Sequence, residues 1–389
     1  MSQDQSPQPY TPAQRVERVA PSATIAIGNR ATALEAEGVD VLDLSVGEPD
    51  FDTPENIKRA AEESLAAGET GYTQSRGIPE LRAAIAERHR ADGIDCGPEN
   101  VLVTPGAKQA LFEVIQALVD PDEEVVLLDP AWVSYEAMAK LAGASLRRVD
   151  TAPYGFALEP ALDDLAAAVS DETELLVVNA PGNPHGAVYS DAALEGVRDL
   201  AREHGITVIA DEIYDQITYG REQTSLAALS GMGDRTVTIN GFSKAYAMTG
   251  WRLGYLVAPE PIVEQASTVH GHSVSCATNF VQHAGVEALR NTDAAVAEMV
   301  AAFEDRRDLL IEELADRGLE VPAPEGAFYL MLPVDDDDQR WCETAIDRAH
   351  VATVPGSAFG TDGYARLSYA AGADRLREAV ARLDEHDLL

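Results

Sequence analysis

Residues 236–258 read TVTINGFSKAYAMTGWRLGYLVA. Two apolar runs, Thr236–Asn240 and Gly254–Ala258, flank a polar segment carrying Lys244 and, eight residues later, Arg252. Short runs of this composition, apolar on both faces, read as buried parallel strands. Ligands of open α/β sheets bind outside the carboxyl ends of the strands, where Lys244 falls. The pattern recurs outward from there. Val101–Thr104 leads into Pro105-Gly106-Ala107-Lys108, and Glu124–Leu128 into Pro130-Ala131-Trp132. Glu174–Asn179 leads to Asn183-Pro184-His185-Gly186, and Ile206–Ala210 to Asp211-Glu212-Ile213-Tyr214. Helix-period segments such as Gln109–Leu118 and Asp191–His204 lie between. The alternation predicts an α/β fold with a mostly parallel central sheet.

The tail has another pattern: a long helix from about 292 to 317, a strand at Ala327–Leu332, and a helix from about Arg340. A strand at Ala365–Tyr369 and a last helix from about Ala373 follow. One helical stretch, Ile25–Glu37, precedes the central region. The expected organisation is an N-terminal segment (1–45) joining a small α+β domain (291–389), and a large domain (46–290). Asp335 to Asp338 reads as a solvated loop.

Of 389 residues, 46 % are hydrophobic, ample for a sizeable core. No run approaches the roughly 18 apolar residues of a membrane span. The opening MSQDQSPQPY has neither region of a secretory signal, so a soluble cytoplasmic protein is expected. Cys96, Cys276 and Cys342 are far apart and suggest neither disulfides nor zinc. His270 and His272 lack a nearby third ligand, and no metal is expected. Asp plus Glu number 66 against 29 Lys plus Arg, a net charge of −37 that repels nucleic acid and anionic membranes. Only Lys58, Lys108, Lys140 and Lys244 are lysines. Acid excess with lysine nearly absent suggests a surface adapted to a salty cytoplasm, where screening shortens self-repulsion to about 3 Å at molar salt. Each lysine retained in such a chain is the more telling.

A partly buried lysine near other cations loses its proton readily and can bond an aldehyde; the alternative for Lys244 is a surface lysine. Asp211 can keep a pyridine nitrogen protonated, or cap a loop. Tyr214 lies one turn on if the segment is helical; it can bond a ring oxygen, or pack in the core. Gly106 opens a helix whose N-terminal amides favour phosphate, with Arg252 as a bidentate partner. Trp132 can stack on a ring or fill the core. Asn183 can donate to a ring oxygen, although its turn favours asparagine anyway. Arg366, in an apolar strand, must be paired if buried, with a substrate carboxylate or an internal acid.

In family order the chain carries PSATIAI, GEPDFDTP, GYTQSRGIPELR, TPGAKQALF, DPAWVSY, NAPGNPHGAVY, ADEIYD, SKAYAMTGWRLGY, GAFY, VPGSAFG and ARLSYA. From about Pro21 to its end it resembles the aspartate aminotransferase family, class I aminotransferases of pyridoxal-phosphate fold type I. The resemblance implies that Lys244 is the Schiff-base lysine and proton shuttle and that Asp211 pairs the pyridinium. It implies that Asn183 and Tyr214 bond the ring oxygen and that Trp132 stacks on the ring. Arg252 and Ser243, with the amides around Gly106, Ala107 and Lys108, would hold the phosphate. Tyr72 would reach the phosphate of a neighbouring subunit, implying a homodimer with shared active sites. Arg366 would bind the α-carboxylate, with Gly47, Trp132 and Asn183 bordering the substrate.

The implied reaction is a ping-pong exchange between an amino acid and a 2-oxo acid. In a similar branch of the family, acidic side chains are met by a lysine and small hydroxyl residues. Lys108, Ser22 and Thr24 match that pattern and favour aspartate with 2-oxoglutarate. Aromatic, alanine or prephenate aminotransferases and lyases of the same fold are the alternatives. His185 stands where the family usually has threonine, which leaves fine specificity open. A non-catalytic regulator would need an appended DNA-binding domain. A dinucleotide-binding dehydrogenase would need GxGxxG after the first strand, whereas Gly231-Met232-Gly233 precedes one.

Overall fold

The computed structural model describes residues 11–21, 23–335 and 337–389. After a short strand β1 (Leu42–Asp43), the chain forms β2 (Val101–Thr104), β3 (Glu124–Asp129), β4 (Ser145–Asp150), β5 (Thr173–Asn179), β6 (Thr207–Asp211), β7 (Thr236–Gly241) and β8 (Gly254–Val257). These last seven make one sheet in the order β2-β8-β7-β6-β5-β3-β4. The predicted α/β architecture is present, with two differences. Strand β8 runs antiparallel to both β7 and β2. Residues 242–253 hold only a 3₁₀ turn at Thr249–Trp251 in place of the helix that usually carries a parallel crossover, and the chain reverses. An all-apolar run reports burial, not direction. Strand β4 was not anticipated because SLRRVD is an edge strand, mostly exposed.

Both faces of the sheet are covered, which is why its inner strands lack alternation. On one face Leu102, Val125, Leu127 and Ile239 pack against the helices Ala107–Leu118, Val133–Ala142 and Glu260–Ser273. On the other, Val126, Leu176 and Val208 meet the helices Leu162–Ala168 and Asp191–His204. No helix among the described residues is long and apolar enough to cross a membrane.

The tail contributes β9 (Tyr329–Pro333), β10 (Val351–Ala352), β11 (Val354–Pro355) and β12 (Tyr364–Ser368), with β11, β12 and β9 forming an antiparallel sheet. Strand β1 pairs with β10, and Ser368 N donates to Leu44 O at 2.8 Å, so residues 42–44 are joined to strands of the tail. Of the acidic run, Asp335 and Asp337 are exposed and non-helical, as a solvated loop would be, and Asp338 is not. Asp338 is buried at the start of the helix Asp338–Thr344, and its carboxylate accepts from Ser357 N and Oγ, each at 2.7 Å. Asp336 lies outside the described residues.

Candidate active site

The carboxyl ends of β5 and β6 sit side by side, since Asn179 pairs with Asp211 in register. Beside them lie the turn after β7, the start of the helix Ala107–Leu118, residues 45–48 and Arg366 of β12. Together they enclose a cavity of about 350 Å³. Among the sequence candidates Thr24, Gly47, Ala107, Lys108, Trp132 and Asn183 line it, as do Asp211, Tyr214, Ser243, Lys244, Arg252 and Arg366. Tyr72 does not; it stands 91 % exposed on the surface. Ser22 lies outside the described residues.

Lys244 leaves the sheet edge in a tight turn, with Ala247 N bonded to its carbonyl at 3.1 Å. Its Nζ donates to Gly47 O and lies 5.5 Å from the centre of the Tyr214 ring. Burial first, then the Arg366 charge, lowers its pKa from 10.5 to about 8. Asp211 is buried; Tyr135 Oη donates to its Oδ2 at 2.6 Å and Ile213 N to its Oδ1 at 3.2 Å. Burial raises its pKa from 3.8 to about 6, against those hydrogen bonds and Lys244. The segment after β6 is a turn, not a helix, yet Tyr214 and Asp211 both face the cavity.

Arg366 is buried in β12. Its Nη1 donates to Asn183 Oδ1 at 3.0 Å, its Nη2 to Ser45 O, and its Nε has no partner. Among the described residues no carboxylate comes within 4.0 Å of it, so the internal salt bridge is absent. A buried guanidinium left incomplete is a place for an anion. With its oxygen facing Arg366, Asn183 keeps its Nδ2 hydrogens for another acceptor. Tyr214 Oη lies 2.8 Å from Tyr329 Oη.

At the other end, Gly106 has φ +90° and caps the helix with no side chain; a Cβ there would come within 2.4 Å of Arg252 Nη2. The helix amides and Arg252 are thereby brought together, and Ser243 borders the same cavity. Lys108 holds its Nζ 4.7 Å over Trp132, with its pKa lowered by burial and then by Arg252. Four cations and two acids, Glu48 and Asp211, line this cavity in a chain of net charge −37. The inversion marks an anion site.

Sequence reasoning gave no role to Tyr135, Tyr329, Ser45 or Asn179. Tyr135 follows Trp132 by one helical turn, a spacing that offered the signal. Tyr329 sits in GAFY, but its partner Tyr214 is 115 residues away. His185 is not among the residues that line the cavity. Its ring stacks on Phe156 (centroids 5.6 Å apart), its Nδ1 accepts from Ala187 N at 3.0 Å, and burial lowers its pKa to about 4.

The cavity fits a flat phosphorylated pyridine: an anion cradle at a helix start, a buried acid that a ring cation would relieve, and a weakly basic amine beside them. A protein that holds such an amine against such an acid belongs to the pyridoxal-phosphate-dependent enzymes. More narrowly, the chain is a member of the class I and II aminotransferases, whose family model matches residues 39–383. It is 43 % identical over 376 residues to an aspartate/prephenate aminotransferase of Thermus thermophilus, covering 95 % of this chain and 96 % of that one. It is 40 % identical to an aspartate aminotransferase of Thermotoga maritima, covering 95 % and 98 %. The solved structure of Thermus thermophilus aspartate aminotransferase with maleate superposes with a TM-score of 0.93 at 41 % identity, covering 97 % of this chain and all of that one.

Proposed function

We propose that this aminotransferase moves the amino group between aspartate and 2-oxoglutarate by a ping-pong mechanism. The observation that carries the reading is a pair of cations, Arg366 and Lys108, on one cavity with the Lys244 amine. Neither has a carboxylate within 4.0 Å among the described residues. Substrates with two carboxylates suit such a pair. Prephenate is a second dicarboxylate the site suits, and the Thermus thermophilus relative is named for it.

Bound pyridoxal phosphate supplies an aldehyde and a protonated ring that accepts the electron pair left when the α-proton departs. The remaining work falls to the chain. Arg366 holds the α-carboxylate, and Lys108 with Thr24 and Ser22 the side-chain carboxylate. Lys244 Nζ, its pKa near working pH, removes the α-proton and later returns it. Asp211 keeps the ring nitrogen protonated, with Tyr135 fixing its orientation. Asn183 Nδ2 and Tyr214 Oη donate to the ring oxygen, and Trp132 covers the ring face. Arg252, Ser243 and the amides of Ala107 and Lys108 hold the phosphate, with Gly106 leaving room for the guanidinium.

Adding aspartate to the purified holoprotein in high salt should release oxaloacetate stoichiometrically before any 2-oxo acid is added. Lys108→Ala should lower kcat/KM for aspartate by about 10- to 100-fold, as loss of a charge-assisted bond does. Rates with alanine and phenylalanine should stay within about threefold. An equal loss with all three donors would refute recognition of the side-chain carboxylate.

The same reading assigns a homodimer, in which the exposed Tyr72 of each chain reaches the phosphate site of its partner, and a cytoplasm rich in salt. Many surface arginines are engaged by acids, as when Arg375 and Arg382 both bind Asp40. Most of the acid excess therefore faces solvent and repels itself. Raising potassium chloride from about 0.1 M to 2 M should raise Tm by about 5 °C or more. No rise beyond that given by sucrose of equal osmolality would count against a salt-adapted surface.

A further inference from the structure

We propose that Tyr329 is a positioning residue, joining the carboxylate end of the site to the ring-oxygen end through the hydroxyl of Tyr214. The inference rests on the reading that Tyr214 donates to the ring oxygen of the cofactor. Ser368 of β12 faces Tyr329 of β9 and Arg366 faces Met331, so Tyr329 and Arg366 are diagonal neighbours on one face. The guanidinium carbon lies 4.6 Å from the centre of the Tyr329 ring. The hydroxyl at the far end of that ring meets Tyr214 Oη at 2.8 Å. It also lies where a side chain at position 47 would begin: a Cβ on Gly47 would sit 2.8 Å from it. The site forgoes a side chain there to admit this phenol.

A phenol has one proton to give. If that of Tyr214 goes to the ring oxygen, the bond between the two hydroxyls is donated by Tyr329. Each donor in such a chain strengthens the next. Arg366 over the ring withdraws charge from the Tyr329 phenol and makes it the better donor. Glu48, the other charged group acting on Tyr329, opposes this from the cavity wall. Burial keeps both phenols protonated: the pKa of Tyr214 is pushed well above 10 and that of Tyr329 is raised. When a substrate carboxylate neutralises Arg366, Tyr329 donates less strongly, and Tyr214 in turn. Occupancy of the carboxylate site is thereby felt at the ring oxygen without contact between the two.

The test is the visible absorbance titration of the link between cofactor and lysine, in holoenzyme of wild type, Tyr329→Phe, Tyr214→Phe and the double variant, each with and without saturating maleate. A weaker bond to the ring oxygen leaves more negative charge there and holds the proton on the adjacent lysine nitrogen. Tyr329→Phe should therefore raise the midpoint by about half a pH unit or more, each unit being a tenfold change in the equilibrium. Maleate should raise the wild-type midpoint, and by less in Tyr329→Phe, while the aspartate KM stays within about threefold because the ring remains over Arg366. In the Tyr214→Phe background, Tyr329→Phe should move the midpoint by less than about 0.2 unit. Tyr214→Phe alone should also shrink the response to maleate, which provides the reading if Tyr329→Phe does not fold. Equal shifts in both backgrounds, or a Tyr329→Phe titration matching wild type, would overturn the proposal. A wild-type holoprotein with no pH-dependent band would overturn the cofactor roles on which it rests, and this proposal with them.

Discussion

Replacing Lys244 with alanine is expected to lower turnover by at least about 10⁴-fold while leaving the cofactor-free fold no less stable at pH 7. The rate loss follows because one amine both bonds the cofactor and carries the proton. The stability result follows from its environment. Burial and Arg366 lower the native pKa to about 8, from 10.5 in the unfolded chain. Below pH 8 the native state carries an ammonium that its surroundings disfavour, so Lys244 subtracts from stability there. Between about 8 and 10.5 only the unfolded chain binds the proton, and wild-type stability recovers as pH rises. Alanine removes the penalty, so the variant's Tm should match or exceed wild type at pH 7, with the advantage shrinking above pH 8. Thermal melts of both apoproteins check this, and a large Tm loss at pH 7 would contradict it. Borohydride reduction of the wild-type holoprotein should place the cofactor on residue 244; a label on any other side chain would remove the basis of the assignment.

Asp211→Asn is expected to lower kcat by at least about 10²-fold, the usual loss when a preorganised charge is removed. The aspartate KM should change little, because Arg366 and Lys108 are untouched. Tyr135 Oη and Ile213 N can still bond the amide, so a folded variant is expected. Without cofactor, burial raises the Asp211 pKa from 3.8 to about 6. The native state therefore holds this proton more tightly than the unfolded chain, and loses stability as pH rises through 6. A ring cation relieves the ionised acid. The Tm gained on adding cofactor should thus be larger at pH 7.5 than at pH 5 in wild type, and nearly flat with pH in Asp211→Asn. Equal pH dependence in the two proteins, or a variant retaining more than half the activity, would remove Asp211 from its assigned role.

The sequence was most informative where local chemistry and strand ends coincide. Lys244, Asp211, Asn183 and Lys108 each follow an apolar run, and the structure sets all four on one cavity. Direction was illegible: Gly254–Val257 has the composition of the parallel strands of the same sheet, and only the missing crossover helix reverses it. Strand Ser145–Asp150 was hidden because an edge needs little apolar surface. Long-range partners were also out of reach. No spacing rule links Tyr214 to Tyr329, or places Ser45 O beneath a guanidinium 321 residues away. Asp338 shows the same limit in reverse: a local acidic run concealed a buried helix start held by Ser357.

The pairing of Leu42–Asp43 with Val351–Ala352 has a consequence for how the protein comes into being. The residues a chain contributes to its own cofactor fall between 106 and 252, and all are present when two thirds of the chain has been made. The strand bearing Arg366 emerges about a hundred residues later, several seconds at a ribosomal rate of ~5–20 residues per second. Contacts spanning over 300 residues then close last. The nascent chain thus carries its own share of the cradle for the vitamin before it carries the arginine that would hold an amino acid.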